Sequence, residues 1–165
     1  MEVLKQHIID FFTNRVLMCA VLSWVLAQIL KIFTSPQHRE GISFLRLIAG
    51  SGGMPSSHSA VVTATCFSCG ILYGYASPLF AISTVVAVVV MRDAAGVRRE
   101  SGKQAAAINQ MTRELNKKKK AVDLDLLTEL LGHTPLQVFF GGLLGVVMAY
   151  LCQLLLFPAI FPPLS

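Results

Sequence analysis

Four apolar stretches dictate what this chain can fold into. Residues 16–33, 59–76, 79–97 and 135–156 each approach the roughly 20 residues that cross a bilayer, and the ionisable residues within them lie near their ends. Inside lipid, backbone N–H and C=O groups must find partners within the segment, which selects helices. Only 14% of the residues are charged and 54% are apolar, with mean hydropathy +0.63, whereas a soluble domain carries roughly 25% charge. The sequence therefore predicts an all-α membrane protein with about four transmembrane helices, built as a single transmembrane domain over residues 1–165. The net charge of +5 excludes little by itself, but a chain this apolar is no nucleic-acid binder. The bias of Lys and Arg toward cytoplasmic loops accounts for the excess.

Between the apolar stretches the chain is punctuated. Residues 1–14 interleave Val3, Leu4, Ile8, Phe11 and Phe12 with polar residues, the pattern of a short interfacial helix. Residues 1–15 also lack the apolar core and small-residue cleavage site of a signal peptide. A polar loop, 34–57, carries Arg46. The third helical pattern runs on past Arg92 toward Leu115 with no proline to stop it, so one long helix is expected to leave the membrane near Arg92. A second loop, 98–133, holds the Lys117-Lys118-Lys119-Lys120 block. Thr134-Pro135 is a good cap and first-turn pair for the last helix. Gly141 and Gly145 give that helix a G-x-x-x-G face, which suits a homo-oligomer or, more simply, packing within the chain. The four cysteines, Cys19, Cys66, Cys69 and Cys152, all lie in apolar runs and read as small buried side chains.

Four spans put both termini on one side and both loops on the other. The loop side, with Lys31 and Arg92, holds 12 of the 14 Lys and Arg residues, leaving Lys5 and Arg15 with the termini. That imbalance predicts an integral protein of the plasma (inner) membrane, loops in the cytoplasm and termini outside.

The chemistry then collects at the cytoplasmic face. Gly52-Gly53-Met54-Pro55-Ser56-Ser57-His58-Ser59-Ala60 reads as a loop entering a helix, with Ser56 or Ser57 as N-cap. Exposed N–H groups at such a terminus attract anions. His58 opens one span, His133 opens another, and Lys31, Arg46, Arg92, Arg98 and Arg99 lie at the same depth. Arginine forks match phosphate oxygens. Two imidazoles with cations suit phosphoryl transfer, one ring attacking phosphorus and the other protonating the leaving oxygen, with no metal and no other cofactor. The bland alternative makes the histidines helix caps and the cations headgroup contacts.

These motifs, together with Asp93-Ala94-Ala95-Gly96-Val97-Arg98-Arg99 and Leu131-Gly132-His133-Thr134-Pro135-Leu136-Gln137-Val138, resemble the divergent branch of the type-2 phosphatidic-acid phosphatase and vanadium haloperoxidase superfamily. The resemblance spans about residues 31–145 and implies an all-α fold with a metal-independent phosphate site. It implies His133 as nucleophile and His58 as acid. Lys31, Ser56 and Ser57 would hold phosphate, with arginines drawn from Arg46, Arg92, Arg98 and Arg99. The chain departs from the superfamily pattern in having Ser57 for glycine, Leu127 for an arginine, and Gln137 for the aspartate beside the nucleophile. Asp93 and Glu129 are the carboxylates that would stand in for that aspartate. The expected activity is hydrolysis of a lipid phosphate or pyrophosphate, a polyprenyl one included, with membrane lipids as the surroundings. A binder or transporter of an anionic headgroup is the alternative, and a vanadate-dependent peroxidase a remote third.

Overall fold

The computed structural model describes residues 1–34, 53–117 and 132–160, and every regular element among them is helical. The order is α1 (Glu2–Thr13), α2 (Arg15–Thr34), α3 (Ser57–Tyr73), α4 (Pro78–Ala95), α5 (Val97–Lys117), α6 (Pro135–Tyr150), a π-helical turn (Leu151–Leu156) and α7 (Phe157–Ile160). Local sequence sets the starts. Ser56 caps α3 by accepting from the Ser59 N–H, and Ser77 caps α4 by accepting from Phe80 just ahead of Pro78. Thr134 caps α6 in a reciprocal capping box with Gln137.

α3 is the hub, packed against α2, α4 and α6. Its small residues allow this: Ala60, Thr63, Ala64, Ser68 and Gly70 are all buried. Gly141 and Gly145 of α6 lie directly on its backbone. A Cβ at Gly141 would stand 2.3 Å from the Ser56 carbonyl oxygen, and one at Gly145 would stand 2.4 Å from that of Ala60. The G-x-x-x-G face is therefore occupied inside the chain.

The outward faces are apolar at helical spacing: Val21, Val25 and Ile29 on α2, Ile82, Val85, Val86 and Val89 on α4, and Phe139, Leu143 and Val147 on α6. An exterior of this kind needs lipid around it. Three helical stretches are long and apolar enough to cross a membrane: Arg15–Thr34, Pro78–Leu115 and Pro135–Ile160. The remaining expected span, α3, has 17 residues, is shorter than any of these three stretches and is enclosed by the other helices. Exposed Tyr73, Tyr75 and Tyr150 mark the end of the bundle away from the α3 N-terminus, with the Tyr75 and Tyr150 hydroxyls 2.9 Å apart. Such rings suit a membrane–water boundary.

The expected unbroken third helix is broken at Gly96. The bonds Gly96 N–H to Arg92 and Glu100 N–H to Gly96 continue across the break. The backbone at Gly96 nevertheless leaves helical geometry, with φ −106° and ψ −82°. Without a Cβ this residue bends more cheaply than its neighbours.

The α3–α6 contact makes unequal demands on neighbouring glycines. Gly145→Ala should lower stability by about 1–3 kcal/mol through overpacking against backbone. Gly142→Ala should be nearly neutral, because its Cβ would meet only the flexible end of Met91 at 3.4 Å. Thermal unfolding of the two variants in one detergent measures the difference.

Candidate functional site

The site is assembled where α2 ends and where α3 and α6 begin. Gly53 has φ 81°, a conformation that favours glycine, and Met54-Pro55 is a cis peptide. The Thr34 hydroxyl donates to the Met54 carbonyl, tying this loop to the last turn of α2. The Ser56 N–H donates to the Gln137 carbonyl at 2.9 Å, clasping the α3 start to the first turn of α6. Gly141, one turn along α6, makes room for this clasp.

Ser57 is buried, and its hydroxyl accepts from the Lys31 ammonium at 3.0 Å. Lys31 is itself only 8% exposed. Its partner among the described residues is a neutral oxygen, so the contact there is a hydrogen bond and not an ion pair. It sits at the N-terminus of α3, whose dipole adds further positive potential.

Across the entrance stand the two histidines. The His58 and His133 rings are 6.0 Å apart between centroids and inclined at 63°. His58 is exposed on the first turn of α3, whereas His133 is 3% exposed. The His133 N–H donates to the Ala94 carbonyl at 3.2 Å, anchoring the segment before α6 to the end of α4. Its Nδ1 lies 3.2 Å from Gln137 Oε1. That oxygen also accepts the Thr134 N–H at 3.0 Å, as the capping box requires. Facing an acceptor already fixed by the cap, Nδ1 carries the ring proton and Nε2 carries the lone pair.

The structure thus gathers His58, His133, Lys31, Ser56, Ser57 and Gln137 at one end of the bundle. Arg92 is exposed on the last turn of α4, and half-buried Asp93 precedes the residue that binds the His133 backbone. Arg98 and Arg99 lie in the first turn of α5, and their side chains are outside the description. Arg46 and Glu129 lie outside the described residues. Lys103 of α5 is paired with Glu100 at 2.6 Å on the surface. No group of three or more His, Cys, Asp or Glu that could hold a metal gathers among the described residues.

Sequence reasoning did not foresee the two backbone clasps, Ser56 to Gln137 and His133 to Ala94. Backbone bonds between distant segments leave no residue-type signal. Gly141 was an indirect sign, because its position one turn after Gln137 places the close approach beside the site. Ser57 was another: a hydroxyl where the superfamily has glycine can serve Lys31.

The model of the divergent PAP2 family matches residues 12–148, which covers α2, the site and most of α6. The chain belongs to the divergent PAP2 family. A relative within reach of direct comparison is the protein named "Uncharacterized membrane protein YuiD" from Bacillus subtilis (strain 168). It is 39% identical over 149 residues, covering 84% of this chain and 94% of that protein. No solved structure matches. Membership of this membrane family agrees with the apolar exterior, and the matched region contains every described site residue.

Gln137 has two tasks in this family member, the cap and the imidazole. Gln137→Ala should cost about 1 kcal/mol through loss of the capping box, while Gln137→Glu, which retains an acceptor at the same position of the box, should stay close to the parent. Chemical or thermal unfolding in detergent distinguishes them.

Proposed function

We propose that the protein is a membrane-embedded phosphatase acting on a lipid phosphate or pyrophosphate through a phosphohistidine. The observation that carries this reading is the pairing of the two imidazoles, 6.0 Å apart, beside a buried ammonium. His133 Nε2 attacks phosphorus as the bond to the lipid oxygen breaks, and His58 gives its proton to that oxygen. Water, deprotonated by His58, then attacks phosphorus, the N–P bond breaks, and phosphate leaves. Lys31 and the first N–H groups of α3 neutralise the phosphoryl oxygens, with Ser56 and Ser57 shaping the cradle. Arg92, Arg98, Arg99 and Arg46 are candidates for further phosphate contacts, and Asp93 and Glu129 for support of the imidazoles.

The finer topology belongs to the same proposal. The enclosed α3 serves as a fourth span, α5 extends from the bilayer into the cytoplasm, and the termini lie outside the plasma membrane. The supporting fact is the concentration of 12 of 14 Lys and Arg on the loop side. A substrate with an apolar tail fits a site that opens among lipid-facing helices.

A second reading has its own observation. Gln137 offers His133 a neutral oxygen, which orients the ring but does not stabilise imidazolium by charge. That favours a protein that binds an anionic headgroup without cleaving it.

Phosphate release from lipid phosphates and pyrophosphates by the purified protein tests both. On the enzymatic reading, His133→Ala loses on the order of 10³-fold or more in rate, the scale seen when a nucleophile is deleted. Release unchanged in that variant removes the assignment. Saturable headgroup binding with no turnover in the parent selects the binding protein.

A further inference from the structure

A line of buried polar groups leads away from the site through the bundle. On α2 it comprises Lys31, Gln28, Ser23 and Cys19, and it continues with Ser68 of α3 and with Cys152 and Gln153 of the π-helical turn; none is more than 8% exposed. The Cys19 thiol lies beside Ser23, Ser68 and Cys152 and donates to the Met148 carbonyl at 3.6 Å. At the far end the Gln153 amide donates to the Arg15 carbonyl at 3.1 Å. The π-helical turn makes this end polar, because it buries Cys152 and Gln153 in succession. From Arg15 to Lys31, α2 rises about 24 Å, most of the roughly 30 Å of a hydrocarbon core.

Four oxygens on this seam have no hydrogen-bond partner among the described residues: Ser23 Oγ, Gln28 Oε1, Ser68 Oγ and Gln153 Oε1. Each belongs to a residue at most 5% exposed. Such groups are costly inside a membrane bundle. A hydroxyl in a helix can usually bond back to its own backbone. Thr65, Ser83 and Thr84 do so, donating to the carbonyls of Val61, Leu79 and Phe80. Ser23 and Ser68 do not, and the described group beside both hydroxyls is the Cys19 thiol, a weak hydrogen-bond partner.

We propose that this seam binds a chain of buried water molecules, running from the Gln153 end to Lys31. Water both donates and accepts, as the mixture of hydroxyl, amide and thiol groups requires. The polar positions on α2 rise by about 4.5–7.5 Å at each step, and Gln28 lies about 140° around the helix from Ser23, so that step takes more than one water with bonds of about 2.8 Å. A metal cation fits poorly, because the oxygens are strung along the axis rather than gathered, and Lys31 closes one end with its own charge. The waters solvate the ammonium from within. This inference rests on the bundle alone and not on the proposed phosphoryl chemistry.

Hydroxyl-radical footprinting by X-ray radiolysis of the full chain in nanodiscs tests it, since radicals form at bound water and label adjacent sulfur. Cys19 and Cys152 are 0% and 1% exposed, whereas Cys66 is 4% exposed and bonded to Thr84 away from the seam. A hydrated seam predicts that Cys19 and Cys152 label several-fold faster than Cys66. The Ser23→Ala, Ser68→Ala double variant should lose that excess with Cys66 unchanged, and its melting temperature should fall because water anchors are removed. Seam thiols that label no faster than Cys66 in the parent overturn the proposal. So does a double variant that melts higher, as relief of dry, unpartnered hydroxyls would produce. Phosphate plays no part in either readout, so failure here is separate from failure of the phosphatase reading.

Discussion

The close contact of α6 on α3 is the constraint from which the rest follows. Lipid gives helices no hydrophobic reason to associate, so tight packing and interhelical hydrogen bonds must hold them together. Here Gly141 and Gly145 lie directly on the backbone of α3, where a Cβ would stand 2.3 Å and 2.4 Å from its carbonyl oxygens. The approach is close enough for the Ser56 N–H to reach the Gln137 carbonyl at 2.9 Å. That bond fixes the relative height of two helix starts. His58 sits in the first turn of one of them and His133 just ahead of the other, so their 6.0 Å separation follows from the glycine contact. A bulkier interface would part the imidazoles even with both histidines intact.

The same end of the bundle holds a buried charge whose partner among the described residues is a neutral hydroxyl. An ammonium taken out of water carries a penalty of several kcal/mol. A single hydroxyl at 3.0 Å, the Ser57 partner of Lys31, returns only part of it. The α3 N-terminus adds positive potential at the same place. Together these sources favour an anion, and the apolar exterior means that the anion's carrier can be an amphiphile. Thus a protein with very little charge concentrates cationic character where three helices meet.

Much of this was legible because the signals were local. Ser56 or Ser57 and Thr134-Pro135 announce helix starts through their own side chains and rings, and the structure puts caps at Ser56 and Thr134. The apolar runs announce helices through length alone. What was not legible depends on partners distant in sequence. The bend at Gly96 comes from a residue that permits a break without demanding one, in a run whose apolar pattern continues past it. The π-helical turn at Leu151–Leu156 has no composition signature, although it decides that Cys152 and Gln153 face inward. At the site, the arginines drew attention as phosphate ligands, yet Arg92 is exposed at the end of α4 and the cation the structure buries is Lys31. A lysine near a helix end is ordinarily read as reaching out to headgroups. Only the position of Ser57 turns this one inward.

Gln137 shows how one side chain can set the balance between holding an anion and cleaving it. Its Oε1 completes the helix cap and holds the His133 ring, so the imidazole is oriented by a group that the fold needs for another reason. A carboxylate at that position would orient the ring equally well and would also stabilise imidazolium as charge develops. It would at the same time offset the positive potential from Lys31 and the α3 N-terminus, weakening the hold on an incoming phosphate. The neutral amide keeps that potential whole. On the proposed chemistry, the trade favours affinity over the rate of the step in which His133 becomes cationic. A slow hydrolase and a headgroup-binding protein are then neighbouring outcomes of one geometry, separated by the charge of a single side chain.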